Sequence, residues 1–159
     1  MMDIRQFNTL ILRPTLRALD LHSFAAEKLM LGTAVHESDG LRYIKQRRGP
    51  ALSFFQIEPA TARDVLERWL CLPRHDEIRA LFRFHFETHH DIEERLLYDL
   101  RFACAVARLV YYRVPEPLPP PTLAALATYW KSHYNTSAGK GRVEDWIANY
   151  RRHVEPVFN

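Results

Sequence analysis

The sequence predicts a mainly α-helical protein that folds as a single domain, and three observations support this prediction. Its 159 residues suit a domain of ordinary size, and 47% of them are apolar, which is enough to bury a core. Only 5 glycines stand against many leucines, alanines and arginines, a balance that favours helix over sheet. In several long segments, apolar residues also recur at three- and four-residue steps, as they do on one face of a helix.

The first two helices are predicted over residues 3–20 and 24–37. In the first, apolar residues form one face, and Pro14 is expected to kink the helix or to split it into two short pieces. Ser23 is a candidate N-cap of the second helix, which is apolar on nearly every side and is therefore expected to lie at the centre of the fold. Glu37 ends this helix, and a carboxylate there needs a reason because an unpaired buried charge is costly.

Residues 41–57 form a polar segment that follows a glycine and connects two helices. Within it, residues 41–46 and 51–57 are predicted either to pair as a small hairpin or to form a long ordered loop. Pro59 suits the first position of a third helix, predicted over residues 59–70. The fold class is therefore mainly α, with a small β element in the connecting segment as one of two alternatives.

The remaining helices are predicted from periodicity and from charge. The longest periodic segment, residues 91–113, has acids at its start and arginines at its end, as the helix dipole prefers. Shorter helices are expected at residues 75–86, 122–133 and 143–153. A proline-rich stretch at residues 115–121 predicts a stiff extended connector that is too short to separate two domains.

Charge and cysteine content exclude some classes of protein and leave others open. The net charge of +3 comes from 22 basic and 19 acidic residues, and the arginines are spread along the chain, so no nucleic-acid partner is expected. No apolar run approaches the roughly 20 residues that span a bilayer, and no signal peptide is recognisable. Cys71 and Cys104 are expected to be buried free thiols, with a disulfide between them as the alternative.

A single carboxylate marks the junction between the second helix and the polar segment. Glu37 lies in the run HESDG, and Gln56 follows 19 residues later in the run GPALSFFQIEPATA. Ile57 comes next, and Pro59 opens the following helix after one intervening residue. An acid that works near neutral pH must have its pKa raised by apolar surroundings, and the apolar helix that ends at Glu37 is expected to supply them.

A second run, YNTSAGKGRVEDW, begins at Tyr134 and Asn135. In order and spacing, the two runs together resemble the signature of the soluble lytic transglycosylases and the goose-type lysozymes. The resemblance covers residues 24–70 and 124–150 and is generic between them. It implies that residues 1–159 form one domain with a lysozyme-like fold.

The resemblance also implies a site and a reaction. Glu37 would be the general acid and base that cleaves the β-1,4 bond between N-acetylmuramic acid and N-acetylglucosamine. Gln56 and Ile57 would line the floor of the cleft, and Tyr134 and Asn135 would contact the sugar or steady the acid. The resemblance implies neither a cofactor nor a metal.

A second carboxylate is harder to name. Two-carboxylate glycosidases need another acid across the scissile bond, and the candidates Asp39, Glu58 and Asp64 do not stand out in the sequence. Lytic transglycosylases resemble a one-acid case in which the 6-hydroxyl of the sugar attacks, so the sequence favours a transglycosylase over a hydrolase. The chain departs from the family pattern at residues 52–53 and by extra residues at 136–138, which leaves open a loss of activity.

The whole chain resembles small phage-encoded proteins of this superfamily that are carried in the virion or its tail. The resemblance implies a peptidoglycan-degrading enzyme that is packed in the host cytoplasm and opens the cell wall locally, next to the periplasm, during genome entry. Its partners would be peptidoglycan and tail or virion structural proteins. An endolysin remains an alternative, as does a structural tail or baseplate protein that kept the fold and lost catalysis.

Two charged clusters and one aromatic residue allow more than one interpretation. Arg47 and Arg48 are either a solvated turn or a contact for the peptide or lactyl carboxylates of the cell wall. The run HFETHH at residues 85–90 is more typical of a solvated helix end than of a metal site, because no third ligand is marked. Trp130 is predicted to be a core aromatic residue without a chemical role.

Overall fold

The computed structural model describes residues 1–86, 91–135 and 139–158. Helices make up 68% of the structure and strands 2%, which confirms the prediction of a mainly α protein. The buried apolar side chains form one continuous core that draws on every long helix. Within the described ranges, no helix combines the length and the apolar character that crossing a lipid bilayer requires.

The first helix, α1, consists of the consecutive segments Ile4–Gln6, Phe7–Leu12 and Arg13–Ala18. The middle segment has π-helical hydrogen bonds, each of which spans one residue more than an α-helical bond and so widens the helix. These wide turns come directly before Pro14, whose missing N–H cannot join them. The helix continues through Pro14, so the predicted alternative of two separate pieces is wrong.

The second helix, α2 (Phe24–Glu37), is the centre of the fold, as expected. Ser23 caps it by accepting a hydrogen bond from the Ala26 N–H at 3.0 Å. A Cβ atom added at Gly32 would lie 2.1 Å from the ring of Trp146, so only glycine lets a later helix pack this closely. The acid-bearing helix is therefore held on several sides by side chains distant in sequence.

A minimal β element follows α2. Lys45 pairs with Leu52 and Leu52 pairs with Ile57, both in antiparallel bridges. The Ser53 N–H also donates to the Ile44 carbonyl at 2.7 Å, across the turn between the two segments. The hairpin alternative is therefore correct, although the pairing is shorter than the two segments that the sequence suggests.

The next two helices begin close to their predicted positions. The third, α3, begins at Pro59 and comprises Pro59–Arg63 and a π-helical continuation, Asp64–Trp69. A short 3₁₀ turn, Pro73–His75, leads into α4 (Asp76–Phe86). Together they cover one end of the core with partly buried apolar side chains.

The helix predicted over residues 91–113 is two helices, α5 (Ile92–Tyr98) and α6 (Leu100–Tyr112). Asp99 lies between them with an extended backbone, φ −103° and ψ 92°. Its carboxylate accepts a hydrogen bond from the Phe102 N–H at 2.9 Å and so caps α6. The sequence predicts one continuous helix because its apolar residues keep the same spacing across Asp99. The chain nevertheless breaks there, so that prediction is wrong.

Three helices close the fold. The first, α7, comprises Leu123–Trp130 and a π-helical continuation, Lys131–Asn135, and it is followed by α8 (Val143–His153) and α9 (Glu155–Phe158). The central helix α2 packs against α1, α6, α7 and α8. This arrangement brings α7 to the end of α2 that carries Glu37.

Both cysteines are free, and the disulfide alternative is wrong. Cys104 is buried on α6, as expected, but Cys71 is exposed. Cys71 lies two residues after the end of α3, where its Sγ atom is 3.4 Å from the Leu66 carbonyl. The prediction of two buried thiols is therefore wrong for Cys71, which lies just beyond the buried face of its helix.

Candidate active site

Glu37, the last residue of α2, lies partly buried in a cleft with a volume of about 460 Å³. One side of the cleft is the end of α2, and the other is the small hairpin that follows. The residues that line it are Glu37, Tyr43, Lys45, Gln46, Arg47, Arg48 and Gln56. The cleft therefore brings together the two residues that the sequence analysis places opposite each other, Glu37 and Gln56.

The environment of the Glu37 carboxylate favours its protonated form. Burial raises the pKa of Glu37 to about 7, and a hydrogen bond from Trp130 Nε1 to Glu37 Oε1, at 3.0 Å, opposes the shift only in part. In the described ranges, no lysine or arginine forms an ion pair with this carboxylate. At neutral pH the group is therefore divided between its two protonation states and can both donate and accept a proton.

Trp130 is fully buried, as predicted, and its indole N–H points at the acid. The edge of the His36 ring packs against it, with 4.7 Å between the ring centroids. A Cβ atom added at Gly141 would lie 2.6 Å from the indole, so the glycine lets a loop close over the ring. The sequence analysis missed the donor role of Trp130, although a buried indole N–H generally needs a partner.

Behind the acid, a chain of polar and aromatic contacts connects α2 to the hairpin. Thr33, one turn before Glu37, forms a 2.7 Å hydrogen bond with the Tyr111 hydroxyl. The Tyr111 ring stacks on Tyr134 with 5.0 Å between centroids, and the Tyr134 hydroxyl donates to the Phe55 carbonyl at 2.6 Å. Tyr134 does not line the cleft, and its two predicted roles, contacting the sugar or steadying the acid, stay predictions.

Gln56 reaches the cleft from a segment with unusual backbone geometry. Its φ angle is +48°, and that of Ser53 is +70°, both in the left-handed region that side chains other than glycine rarely adopt. The Gln56 side-chain N–H donates to the Ser53 carbonyl at 2.8 Å, which fixes the orientation of the amide. Its side-chain oxygen has no partner among the described residues and is available to accept a hydrogen bond from a ligand.

Ile57 does not line the cleft, and the prediction that it does is wrong. Its side chain is buried in the core, and its backbone forms two hydrogen bonds with Leu52, at 2.9 and 2.8 Å. The pairing with Leu52 holds Ile57 in the core, whereas Gln56, the last residue of the preceding turn, lines the cleft.

Asn135 lies at the end of α7 and holds the glycine-containing loop instead of lining the cleft. Lys131 Nζ donates to Asn135 Oδ1 and to the Gly139 carbonyl, both at 2.8 Å. A Cβ atom added at Gly139 would lie 2.3 Å from the Asn135 carbonyl oxygen. Asn135 thus contacts the loop that packs over Trp130, and its predicted role of contacting the sugar or steadying the acid stays a prediction.

None of the three candidates for a second carboxylate lines the cleft. Asp39 lies 3.5 Å from Arg42, and Asp64 pairs with Arg113 at 2.8 Å. Glu58 is exposed immediately before α3. Among the described residues that line the cleft, the acid at the end of α2 is the only carboxylate.

Three cations line the hairpin side of the cleft: Lys45, Arg47 and Arg48. All are exposed, and the Arg47 guanidinium lies 5.9 Å from the centroid of the Tyr43 ring. The arginine pair is thus both a solvated turn and part of the cleft wall. Its charges do not pair with the acid, so they remain available to an anionic ligand.

The described ranges contain no group of three or more His, Cys, Asp or Glu side chains that could hold a metal ion. His85 lies on α4, with its ring centroid 4.8 Å from that of Phe84. Glu87, His89 and His90 lie outside the described residues, so the metal alternative for the run HFETHH is untested.

Comparison of the chain with protein-family models, with curated proteins and with solved structures gave no match. The resemblance to the soluble lytic transglycosylases and goose-type lysozymes therefore rests on the motif residues alone. Of these, Glu37 and Gln56 meet in the cleft. Tyr134 and Asn135 support the site from behind, and the extra residues 136–138 lie outside the described ranges.

Proposed function

We propose that the chain is a peptidoglycan-degrading enzyme with a lysozyme-like fold, in which Glu37 is the general acid and base. It would cleave the β-1,4 bond between N-acetylmuramic acid and N-acetylglucosamine. The observation that carries this proposal is a carboxyl group in an open cleft with a pKa of about 7. A carboxylate with a purely structural role is normally paired, and pairing lowers its pKa instead.

In the proposed reaction, protonated Glu37 donates its proton to the glycosidic oxygen as the bond from that oxygen to C1 of N-acetylmuramic acid breaks. The resulting carboxylate then takes the proton from the 6-hydroxyl of the same sugar, whose oxygen attacks C1 and forms a 1,6-anhydro ring. No water is consumed, and Glu37 ends protonated as it began. The lack of a second acid among the described lining residues favours this one-carboxylate route over hydrolysis.

The rest of the cleft suits an anionic glycan. The free side-chain oxygen of Gln56 can accept a hydrogen bond from a sugar hydroxyl or from an acetamido N–H. Lys45, Arg47 and Arg48 face the same space and can pair with the lactyl or peptide carboxylates of the wall polymer. These cations also attract an anionic polymer at longer range, which raises the rate of encounter.

The biological setting of the proposal comes from the resemblance to phage proteins. The enzyme would be made in the host cytoplasm, carried in the virion among tail proteins, and act on the cell wall and periplasm during genome entry. The rival is a tail or baseplate protein that has lost catalysis. An arginine clamped on Glu37 would favour that rival, whereas an open cleft and an unpaired acid favour the enzyme.

The test is muropeptide release from purified sacculi by the wild type and by Glu37→Gln, read by mass spectrometry. Glutamine keeps the shape and the Trp130 hydrogen bond but cannot donate a proton, so release should fall by about 100-fold or more. The released sugar should be a 1,6-anhydro product, lighter by one water than a hydrolysis product. Glu58→Gln is the matched control, because Glu58 is exposed and outside the cleft, and it should release muropeptides at the wild-type rate.

Each other outcome counts against a specific part of the proposal. If the wild type releases nothing from sacculi, the enzymatic function is wrong. If the wild type and Glu37→Gln release muropeptides at the same rate, Glu37 is not the general acid. A product with a free reducing end would replace the transglycosylase mechanism with hydrolysis.

A further inference from the structure

A second cavity, with a volume of about 530 Å³, lies between the end of α3, the end of α6 and the proline-rich connector. It shares no lining residue with the Glu37 cleft. Its walls combine arginine with aromatic side chains, and the residues that matter here are Trp69, Arg74, Arg108, Tyr112, Arg113 and Glu116.

Arg108 is the unusual member of this set, because it is a buried charge that has no opposite charge beside it among the described residues. Its side chain lies on α6, and only 6% of the residue is exposed. In the described part of the chain it forms no ion pair, and its one hydrogen bond is a long one from Nε to the Leu21 carbonyl, at 3.4 Å. A guanidinium stays charged in proteins, so burying Arg108 costs the hydration energy of that charge. One long hydrogen bond does not offset this cost.

The neighbouring arginine shows what Arg108 lacks. Arg113, one and a half turns further on, donates to Asp64 Oδ2 at 2.8 Å and is thereby neutralised. Arg74 lies exposed at the mouth of the cavity and adds a further positive charge. Glu116 is the only acid among the described lining residues, and it is exposed at the edge, with no ion pair among the described residues.

The aromatic wall gives the cavity a second property. The Trp69 ring stacks on His75 with 3.9 Å between centroids, and the Tyr112 ring meets Trp69 edge-on at 6.0 Å. The Arg108 guanidinium lies 5.8 Å from the centroid of the Tyr112 ring. A flat or apolar body can therefore lie against these rings while an attached anionic group reaches the guanidinium.

We propose that this cavity is a binding site for a ligand that carries a compact anionic group, phosphate or carboxylate, on a flat or apolar body. Arg108 supplies the buried counter-charge, Arg74 guides the anion at the mouth, and Trp69 and Tyr112 hold the body. The proposal does not depend on the function of the Glu37 cleft, since no described residue lines both cavities.

The test uses four probes: inorganic phosphate, acetate, phenyl phosphate and benzoate. Each is added to the whole protein at constant ionic strength, and its affinity is measured by calorimetry and by the shift of the unfolding temperature, which a ligand of the native state raises. At least one of the two aromatic probes, phenyl phosphate and benzoate, should bind and raise the unfolding temperature. That probe should bind more tightly than the small anion that carries the same group, which is inorganic phosphate for phenyl phosphate and acetate for benzoate. Comparing phosphates with carboxylates identifies which anion the site prefers.

Arg108→Met tests the central residue. Methionine fills similar space without the unpaired charge, so the variant should fold at least as stably as the wild type. Its affinity for the preferred probe should fall by about tenfold or more, as expected when a charge-assisted hydrogen bond is lost. Arg151→Met is the matched control, because Arg151 is exposed on α8 and lies outside the cavity; its affinity should be that of the wild type.

Three results would overturn the proposal. One is that none of the four probes binds. Another is that Arg108→Met binds as tightly as the wild type does. The third is that binding appears only in Glu116→Gln, because the Glu116 carboxylate would then be the partner of Arg108 in solution.

Discussion

Two glutamates at opposite ends of α2 have opposite electrostatic environments. Both are partly buried, and burial alone would raise the pKa of each. At Glu27, in the first turn, hydrogen bonds from Arg13, Asn8 and His22 outweigh burial and lower the pKa to about 2. At Glu37, in the last turn, a single indole N–H opposes burial, and the pKa rises to about 7.

The difference shows that the hydrogen-bond partners of a buried carboxylate decide whether its pKa falls or rises. The helix itself adds to the contrast. The positive end of its dipole lies near Glu27 and favours the anion there, whereas the negative end lies near Glu37 and disfavours it. One helix thus carries a carboxylate that stays ionised and another that exchanges its proton near neutral pH.

The largest expected effect separates the two residues by activity. Glu37→Gln should lose about 100-fold or more of its muropeptide release, because the proton donor is gone. Glu27→Gln, assayed at a temperature where circular dichroism shows it folded, should stay within about threefold of the wild type, because Glu27 lies outside the cleft. Comparable losses in both variants would mean that the two carboxylates do not divide the roles in this way.

The second effect separates them by stability. Glu27→Gln leaves the Arg13 guanidinium without its carboxylate and should lower the free energy of unfolding by about 2–4 kcal/mol. Glu37→Gln should not lower it at pH 7, since it removes a poorly paired charge. Urea denaturation at pH 7 measures both values, and a destabilised Glu37→Gln would show that the acid contributes to the fold.

A third, smaller effect is the pH dependence of stability. The folded pKa of Glu37 is about 7, above its unfolded value of 4.5, so the folded state binds more protons between these two values. The stability due to this group is therefore present below pH 4.5 and is lost as pH rises to about 7. Subtracting the curve of Glu37→Gln from that of the wild type should isolate this fall, and a flat difference would contradict the raised pKa.

The opposite sign is expected for Glu27, whose folded pKa of about 2 lies below the unfolded value of 4.5. Its contribution is present above pH 4.5 and is lost as pH falls towards 2. Acid titration of the wild type and Glu27→Gln provides the internal control, because the two difference curves should slope in opposite directions.

The smallest expected effect concerns the hydrogen bond that Trp130 donates to the Glu37 carboxylate. Trp130→Phe removes the indole donor that favours the carboxylate, so the alkaline limb of the pH–rate profile should move up by as much as about one unit. Trp146→Phe is the matched control, because Trp146 is equally buried and its indole N–H has no partner among the described residues. The alkaline limb of the pH–rate profile of Trp146→Phe should stay at the wild-type pH. A shift of this limb in both variants would point to general loosening of the core.

Much of the fold could be predicted from the sequence because helix periodicity and caps are local signals. The starts of α2 and α3 follow directly from Ser23 and Pro59. The break at Asp99 could not be predicted, because the apolar period continues across it and an aspartate fits an exposed helix position equally well. The π-helical turn before Pro14 leaves no mark in the sequence either.

Glu37 and Gln56 could be singled out because the runs that contain them resemble a known signature, and both line the cleft. Glu37 and Gln56 belong to one helix-and-hairpin unit, so their meeting depends on a short piece of chain. Trp130 was not predictable as the donor, because it lies 93 residues from Glu37 and resembles any core aromatic residue in an apolar helix. The direction in which Ile57 points required the pairing with Leu52, which is set by hydrogen bonds that the sequence does not display.

The 93 residues that separate Glu37 from Trp130 also determine how long after Glu37 the ribosome adds Trp130. At about 5–20 residues per second, a ribosome takes roughly 5–20 seconds to pass from the acid to its indole partner. Trp146, which fills the space at Gly32, follows later still. A nascent chain therefore carries its acid long before the acid has its partner, and the site can be assembled only after Trp130 and Trp146 have been made.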